Sequence, residues 1–269
     1  MFRTRLLSGI LLVIIVAGTI WGGGVWLFLP LLAISLIGMK ELNNALSMNE
    51  KEKDKESSAM PLEAAGYAGA VFVYAAAWLG FDQYGMMAVT MTLVLILFVY
   101  VFGYPRFTAG QVMGEFFSVI YVAVMLSFLY STRCLPDGRG LAALIFLCSW
   151  GCDTCAYVVG KLFGKHKMTP VLSPKKSIEG AVGGVAGAAL LGAGFARLTG
   201  APWWAYALIC AVGALVSMVG DLAASAIKRN TGIKDYGHLI PGHGGILDRF
   251  DSVIMTAPMI YYLAKLLMR

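Results

Sequence analysis

Long apolar runs recur along the whole 269-residue chain, and no other feature limits its fold so strongly. A helix needs about 20 predominantly apolar residues to cross a hydrocarbon core of ~30 Å. Nine such segments can be marked, at 5–21, 24–40, 61–81, 85–104, 115–132, 139–161, 178–198, 203–227 and 251–268. Hydrophobic residues make up 59% of the chain and charged residues 13%, roughly half the charged share of soluble domains. The expected fold is therefore all-α, a polytopic transmembrane bundle of about nine helices. It divides into an N-terminal region, 1–135, with about five helices and a cytoplasmic linker at 41–60, and a C-terminal region, 136–269. The latter has about four helices and two polar loops, 162–177 and 228–250, and it carries the residues that could do chemistry.

Charge supplies the orientation. With the N-terminus in the cytoplasm, sixteen of the Lys and Arg residues fall on that side and five on the other, the bias that membrane insertion imposes. Both C-terminal loops then face the cytoplasm. The formal net charge of +6 suits anionic lipid headgroups. Nucleic acid is not an expected partner, since no soluble domain is present to bind it. Arg3 and Arg5 followed by an apolar run resemble a secretory leader, but no clear small-residue cleavage site follows, so a retained signal anchor is expected. Five cysteines, four of them inside apolar segments, are no disulfide framework. Cys152 and Cys155 read as small packing residues rather than half of a zinc site. Gly180, Gly183, Gly184 and Gly187 give the seventh segment a stripe that lets helices approach closely. That is a packing signal first, and a homodimer contact second.

Ionisable side chains inside a membrane segment cost about 2.5–3.5 kcal/mol on insertion scales and mark function by default. Asp153, Asp221, Asp248 and Asp251 qualify. Ser217, Asp221, Ser225 and Lys228 lie four, four and three residues apart, so they form one stripe on a helix. Simple pairing of Asp221 with Lys228 or Arg249 is an open alternative at this point. Between the acids runs KRNTGIKDYGHLIPGHGGILDRFD, where glycines including Gly244 and Gly245 alternate with Lys228, Arg229, Lys234, His243 and Arg249. Glycines permit close backbone approach and expose N–H groups, and the cations supply the charge a polyphosphate needs. Carboxylates flanking such a loop suit Mg²⁺, which binds through one or two acids plus substrate phosphates. Phosphoryl or nucleotidyl transfer follows as the chemistry. No G-x-x-x-x-G-K-[ST] is present, so this is not a P-loop. A second cluster, Ser173-Pro174-Lys175-Lys176-Ser177-Ile178-Glu179-Gly180, reads partly as a helix start, with Pro174 in the first turn and Ser173 or Ser177 as the cap, and partly as a phosphate site.

The stretch SAIKRNTGIKDYGHLIPGHGGILDRFD, Ser225 to Asp251, resembles the signature of the phosphatidate cytidylyltransferase (CDP-diacylglycerol synthase) family, bacterial type. The matched positions are Ser225, Lys228-Arg229, Lys234-Asp235, Gly237, Pro241, His243-Gly244-Gly245, Asp248-Arg249 and Asp251, and Ser173 to Gly180 also resembles a family motif. The resemblance implies transfer of the cytidylyl group of CTP to phosphatidic acid, giving CDP-diacylglycerol and pyrophosphate, in the bacterial plasma membrane with the site facing the cytoplasm. It implies Mg²⁺ on Asp221 and Asp248, with a second, monovalent cation such as K⁺. Lys228, Arg229 and Lys234 then meet the CTP phosphates, with Lys175, Lys176 and Ser177 closing from the other loop. Ser173, Ser225, Gly244, Gly245 and Arg249 complete the substrate-binding set, and His243 orients a phosphate or carboxylate. Asp153, Glu179 and Asp251 are further candidates. A CTP-dependent lipid kinase is the alternative within the same chemistry. A membrane transporter is the alternative outside it, disfavoured by the phosphate-suited loop.

Overall fold

The computed structural model describes residues 2–47, 56–240 and 244–268. Its helices are α1 (Phe2–Gly22), α2 (Gly24–Ser47), α3 (Glu56–Phe102), α4 (Ala109–Ser118), α5 (Met125–Arg133), α6 (Gly138–Phe146), α7 (Cys152–Phe163), α8 (Ile178–Thr199), α9 (Trp203–Asn230) and α10 (Leu247–Leu267). Two π-helical turns, Val119–Val124 and Leu147–Gly151, join α4 to α5 and α6 to α7. Two short antiparallel strands, β1 (Lys167–Thr169) and β2 (Ser173–Ser177), are the one departure from an all-helical chain among the described residues.

Seven of these helical stretches, rather than the expected nine, are long and apolar enough to cross a membrane. The difference has two sources. The described apolar part of α1, Gly9–Gly22, is shorter than a full span. The segments expected at 61–81 and 85–104 run together as Met60–Phe102, 43 residues broken at Gly80, whose φ of 125° and ψ of 97° are open to glycine and not to a helix. In a straight helix Gly69 and Thr92 would stand about 34 Å apart. Gly69 instead lies directly against the Thr92 side chain, so the stretch doubles back at Gly80. The linker expected at 41–60 is also shorter, because α2 continues to Ser47 and α3 begins at Glu56.

The chain folds as two compact units, Met1–Ser131 with Ile233–Asp248, and Thr132–Gly232 with Arg249–Arg269. In the first unit an aromatic cluster ties α2, α3 and α5. Phe28 meets the rings of Tyr74, Trp78 and Tyr130 edge-on at 5.3–5.7 Å. The buried Tyr74 hydroxyl donates to the Leu31 carbonyl at 3.0 Å and shares a 2.8 Å hydrogen bond with Ser35, so the ring is buried without an orphaned polar atom.

The second unit is built on small residues. Gly180 and Gly184 of α8 lie against Ala156 and Cys152 of α7, Gly183 against Val159, Gly187 against Cys155, and Gly192 against Cys210 of α9. The glycine stripe and the C-x-x-C are thus two sides of one helix contact within the chain, the packing role expected of both. On the other side of α9, Gly220 meets the Asp251 carbonyl and the Met255 side chain of α10. Close backbone approach replaces the hydrophobic drive that lipid cannot supply. A Gly184→Leu substitution should lower the thermal unfolding midpoint in detergent, with a cost of about 1–3 kcal/mol for overpacking. Gly194→Ala, at a position with no neighbour within 4 Å, should leave it unchanged or slightly raised.

Candidate active site

Within the second unit, α7, α8, α9 and β2 enclose a cavity of about 390 Å³, inside the size range of small-molecule sites. Asp153, Lys161, Asp221, Lys175, Lys176 and Ser177 supply its polar wall, and residues including Ala156, Tyr157, Met168 and Met218 its apolar wall. The π turn Leu147–Gly151 re-phases the helix just before Asp153, which opens on to this cavity. Such turns are frequent at functional sites.

Opposite Asp221 stands Lys176, not Lys228 or Arg249, with Nζ 2.5 Å from Oδ2 and about a quarter of each side chain exposed. The hairpin explains how the lysine gets there. Lys167 pairs with Ser177 and Thr169 with Ser173, so β2 carries two more residues than β1 between the same pairings. The bulge falls on Pro174–Lys176, where a proline is tolerated because no ladder donor is required. Lys175 stays exposed while Lys176 turns inward. The cluster is therefore a strand over Ser173–Ser177 rather than a helix start at Ser173 and Pro174. Ser177 alone is the cap of α8, its Oγ accepting from the Gly180 N–H at 3.1 Å.

Glu179, in the first turn of α8, is used locally. Its carboxylate accepts from the backbone N–H groups of Lys165 and His166 at 3.1–3.2 Å and contacts His166 Nδ1 at 2.6 Å. That holds the loop ahead of the hairpin, and no motif in the sequence singles out His166 for it. Ser217, Asp221, Ser225 and Lys228 all lie on α9, which ends at Asn230 with Lys228 and Arg229 in its last turn. The Ser217 Oγ is buried and has no hydrogen-bond partner. Asp251, on the first turns of α10, is buried, and Asp221, Lys228 and Asp153 are the charges it senses. Arg249 is half-buried and within electrostatic reach of Asp153.

The rest of the polar loop, Ile233–Asp248, belongs to the first unit. Lys234 is exposed. Gly244 takes a φ of 87°, which favours glycine, and the Ile240 N–H donates to its carbonyl at 2.9 Å. His243 lies outside the described residues. The backbone donors here serve the chain's own acids. Asp248 Oδ2 accepts from the N–H groups of Tyr236 at 2.8 Å and Gly245 at 3.0 Å. Buried Glu41 of α2 accepts from Ile246 at 3.0 Å through Oε1 and from Leu247 at 2.8 Å through Oε2. Sequence alone puts Glu41 at the start of a solvated linker, because a lone acid beside a run of charges gives no sign that a helix continues through it.

An acid that holds an ammonium at 2.5 Å is placed to take a cation. Among the described residues no three His, Cys, Asp or Glu side chains group as a complete metal cage.

Residues 3–267 match the model of the cytidylyltransferase family. The chain is 32% identical to a phosphatidate cytidylyltransferase of Staphylococcus epidermidis over 96% of its length and 97% of that protein's. A Staphylococcus aureus phosphatidate cytidylyltransferase is matched at 32% over the same shares. The Synechocystis phosphatidate cytidylyltransferase is 44% identical over 49% of this chain and 46% of that protein, so that match spans less than half of the relative.

Ser177→Ala should cost about 1 kcal/mol, the usual loss on removing a helix cap, read as a lowered thermal midpoint in detergent. Ser177→Thr, which keeps the hydroxyl, should recover most of it.

Proposed function

The chain belongs to the cytidylyltransferase family, and from that premise we infer that the cavity of the second unit is where its reaction takes place. Its activity is the transfer of the cytidylyl group of CTP to phosphatidate, giving CDP-diacylglycerol and pyrophosphate. A phosphatidate oxygen attacks the α-phosphorus of CTP. One P–O bond forms to the lipid, the bond to the β-phosphate bridge breaks, and the electron pair leaves on pyrophosphate.

The observation that carries the site reading is the Lys176–Asp221 pair on the cavity wall. Lysine at this point can exchange the carboxylate for a phosphate oxygen as substrate arrives, so the cavity is never left with an unmatched charge. Lys175, exposed at the same wall, adds charge at the mouth. The apolar wall of Tyr157, Met168 and Met218 suits the glycerol and upper acyl region of a lipid whose headgroup meets the lysines. Ser225, Lys228 and Arg229, at the end of α9, keep their role as partners of the CTP phosphates.

Mg²⁺ is the divalent cation of this proposal, held by Asp221 with Asp153 beside it, and when bound it supplies positive charge to the leaving pyrophosphate. Asp248 keeps the metal-binding role that the signature gives it, supported in its own unit by two amides that fix its carboxylate. His243 and Lys234 keep their phosphate-facing roles from the same signature. The Lys and Arg asymmetry favours a cytoplasmic position for the loop bearing Lys175 and Lys176, on the side where CTP is found.

Purified protein given phosphatidate and CTP labelled at the α-phosphorus should transfer label to lipid, and γ-labelled CTP should not; the reverse pattern would mean a lipid kinase. Asp221→Asn should fall by about 10³-fold in rate, roughly 4 kcal/mol of barrier, while the protein still inserts and elutes as the wild type does. Near-normal turnover would remove Asp221 from the site.

A further inference from the structure

We propose that Glu41 is a positioning residue for the reaction, acting through Asp248, and that α2 thereby sets the metal-binding end of the polar loop. The inference rests on the metal role proposed for Asp248.

Four observations within the first unit converge on it. Glu41 is buried at 8% exposure on a helix that otherwise reads as membrane-spanning, where an ionised acid needs a reason to stay. Its two oxygens are divided between two consecutive amides, Ile246 and Leu247. Those are the donors at the start of α10, which begins at Leu247. The first amides of a helix have no partner in the helix itself, and a carboxylate there gains both the hydrogen bonds and the helix dipole. Glu41 is thus a helix cap delivered from far away in the chain, across separations of 205 and 206 residues.

The loop is shaped to fit it. A Cβ at Gly237 or at Gly245 would run into the Glu41 carboxylate, so glycine at both positions is what lets the loop close over the acid. Asp248 follows Leu247 directly, and its own Oδ2 is held by Tyr236 and Gly245, the residues flanking or forming those same glycines. Glu41 and Asp248 are therefore held by consecutive amides of one loop, Gly245 on Asp248 and Ile246 and Leu247 on Glu41. Glu41 holds the two amides that lead directly into Asp248, so the course of the backbone that presents the Asp248 carboxylate depends on the Glu41 contact.

A glutamine at this position keeps the shape but offers one acceptor for two donors. With Mn²⁺ as the probe, followed by electron paramagnetic resonance in detergent, Glu41→Gln should weaken ion binding at least 10-fold. It should also raise the Mg²⁺ concentration for half-maximal cytidylyl transfer by a similar factor, with much of the rate recovered at saturating Mg²⁺ and the KM for CTP within about 2-fold of wild type. Glu41→Asp, one methylene shorter and still a carboxylate, should fall in between. Gly237→Ala, which presses on the same carboxylate from the other side, should shift the ion dependence in the same direction and serves if Glu41→Gln does not fold. Unchanged Mn²⁺ affinity and Mg²⁺ dependence in folded Glu41→Gln, or in Gly237→Ala, would overturn the inference. Asp248→Asn distinguishes the two levels. A silent Glu41→Gln beside an inactive Asp248→Asn removes the inference alone, whereas an Asp248→Asn with wild-type activity and ion dependence removes the metal role of Asp248 and the inference with it.

Discussion

A carboxylate in a helix that faces hydrocarbon must be given donors or a cation, and five of the described acids are supplied from different sources. Asp221 faces the Lys176 ammonium. Asp248 takes the amides of Tyr236 and Gly245, and Glu41 those of Ile246 and Leu247. Glu179 takes two amides and an imidazole from the loop before the hairpin. Glu115, 4% exposed on α4, accepts from the Asn43 side chain at 2.8 Å. The cost of a bare charge is several kcal/mol, so these partners decide where the loops run and which stretches need glycine. The small-residue contacts of α7, α8 and α9 serve the same end, since they bring the backbone close enough for the strand bearing Lys176 to meet the helix bearing Asp221.

How much of this could be read in advance depended on the range of the interaction. The apolar runs, the stripe from Ser217 to Lys228 and the role of Cys152, Cys155 and the glycines of α8 are patterns within one helix or between neighbours in sequence, and they came through. The count of spans did not, because the described apolar part of α1, Gly9–Gly22, is shorter than a span and the segments at 61–81 and 85–104 run on as one helical stretch kinked at Gly80. Ser173 and Pro174 read as a helix start, yet they form a bulged strand. The proline satisfied both descriptions, and only pairing with Lys167–Thr169 separates them.

The candidate site shows the same division. Its residue types are the few that phosphate and metal chemistry favour, and the acids and lysines lie close together in two segments of the sequence. Partnership was not legible. Asp221 has Lys228 about two turns away on its own helix, yet the cation it meets comes from another element. The amides of the glycine-rich loop were expected to await an anion, but those of Gly245, Ile246 and Leu247 bind the protein's own acids. Glu41 could not be found by composition at all, since its meaning lies in the two N–H groups it caps.

The bulge in β2 has a consequence for how this segment tolerates change. Lys175 and Lys176 look like a redundant doublet, two copies of one charge, but the kink gives them separate surroundings, one in solvent and one against Asp221. Which lysine turns inward is decided by the spacing between Thr169 and Ser177 and not by the side chain itself. Length is therefore the inherited quantity here: the hairpin can drift in the identity of its exposed positions, while the loss or gain of a single codon would hand the inner place to a different residue.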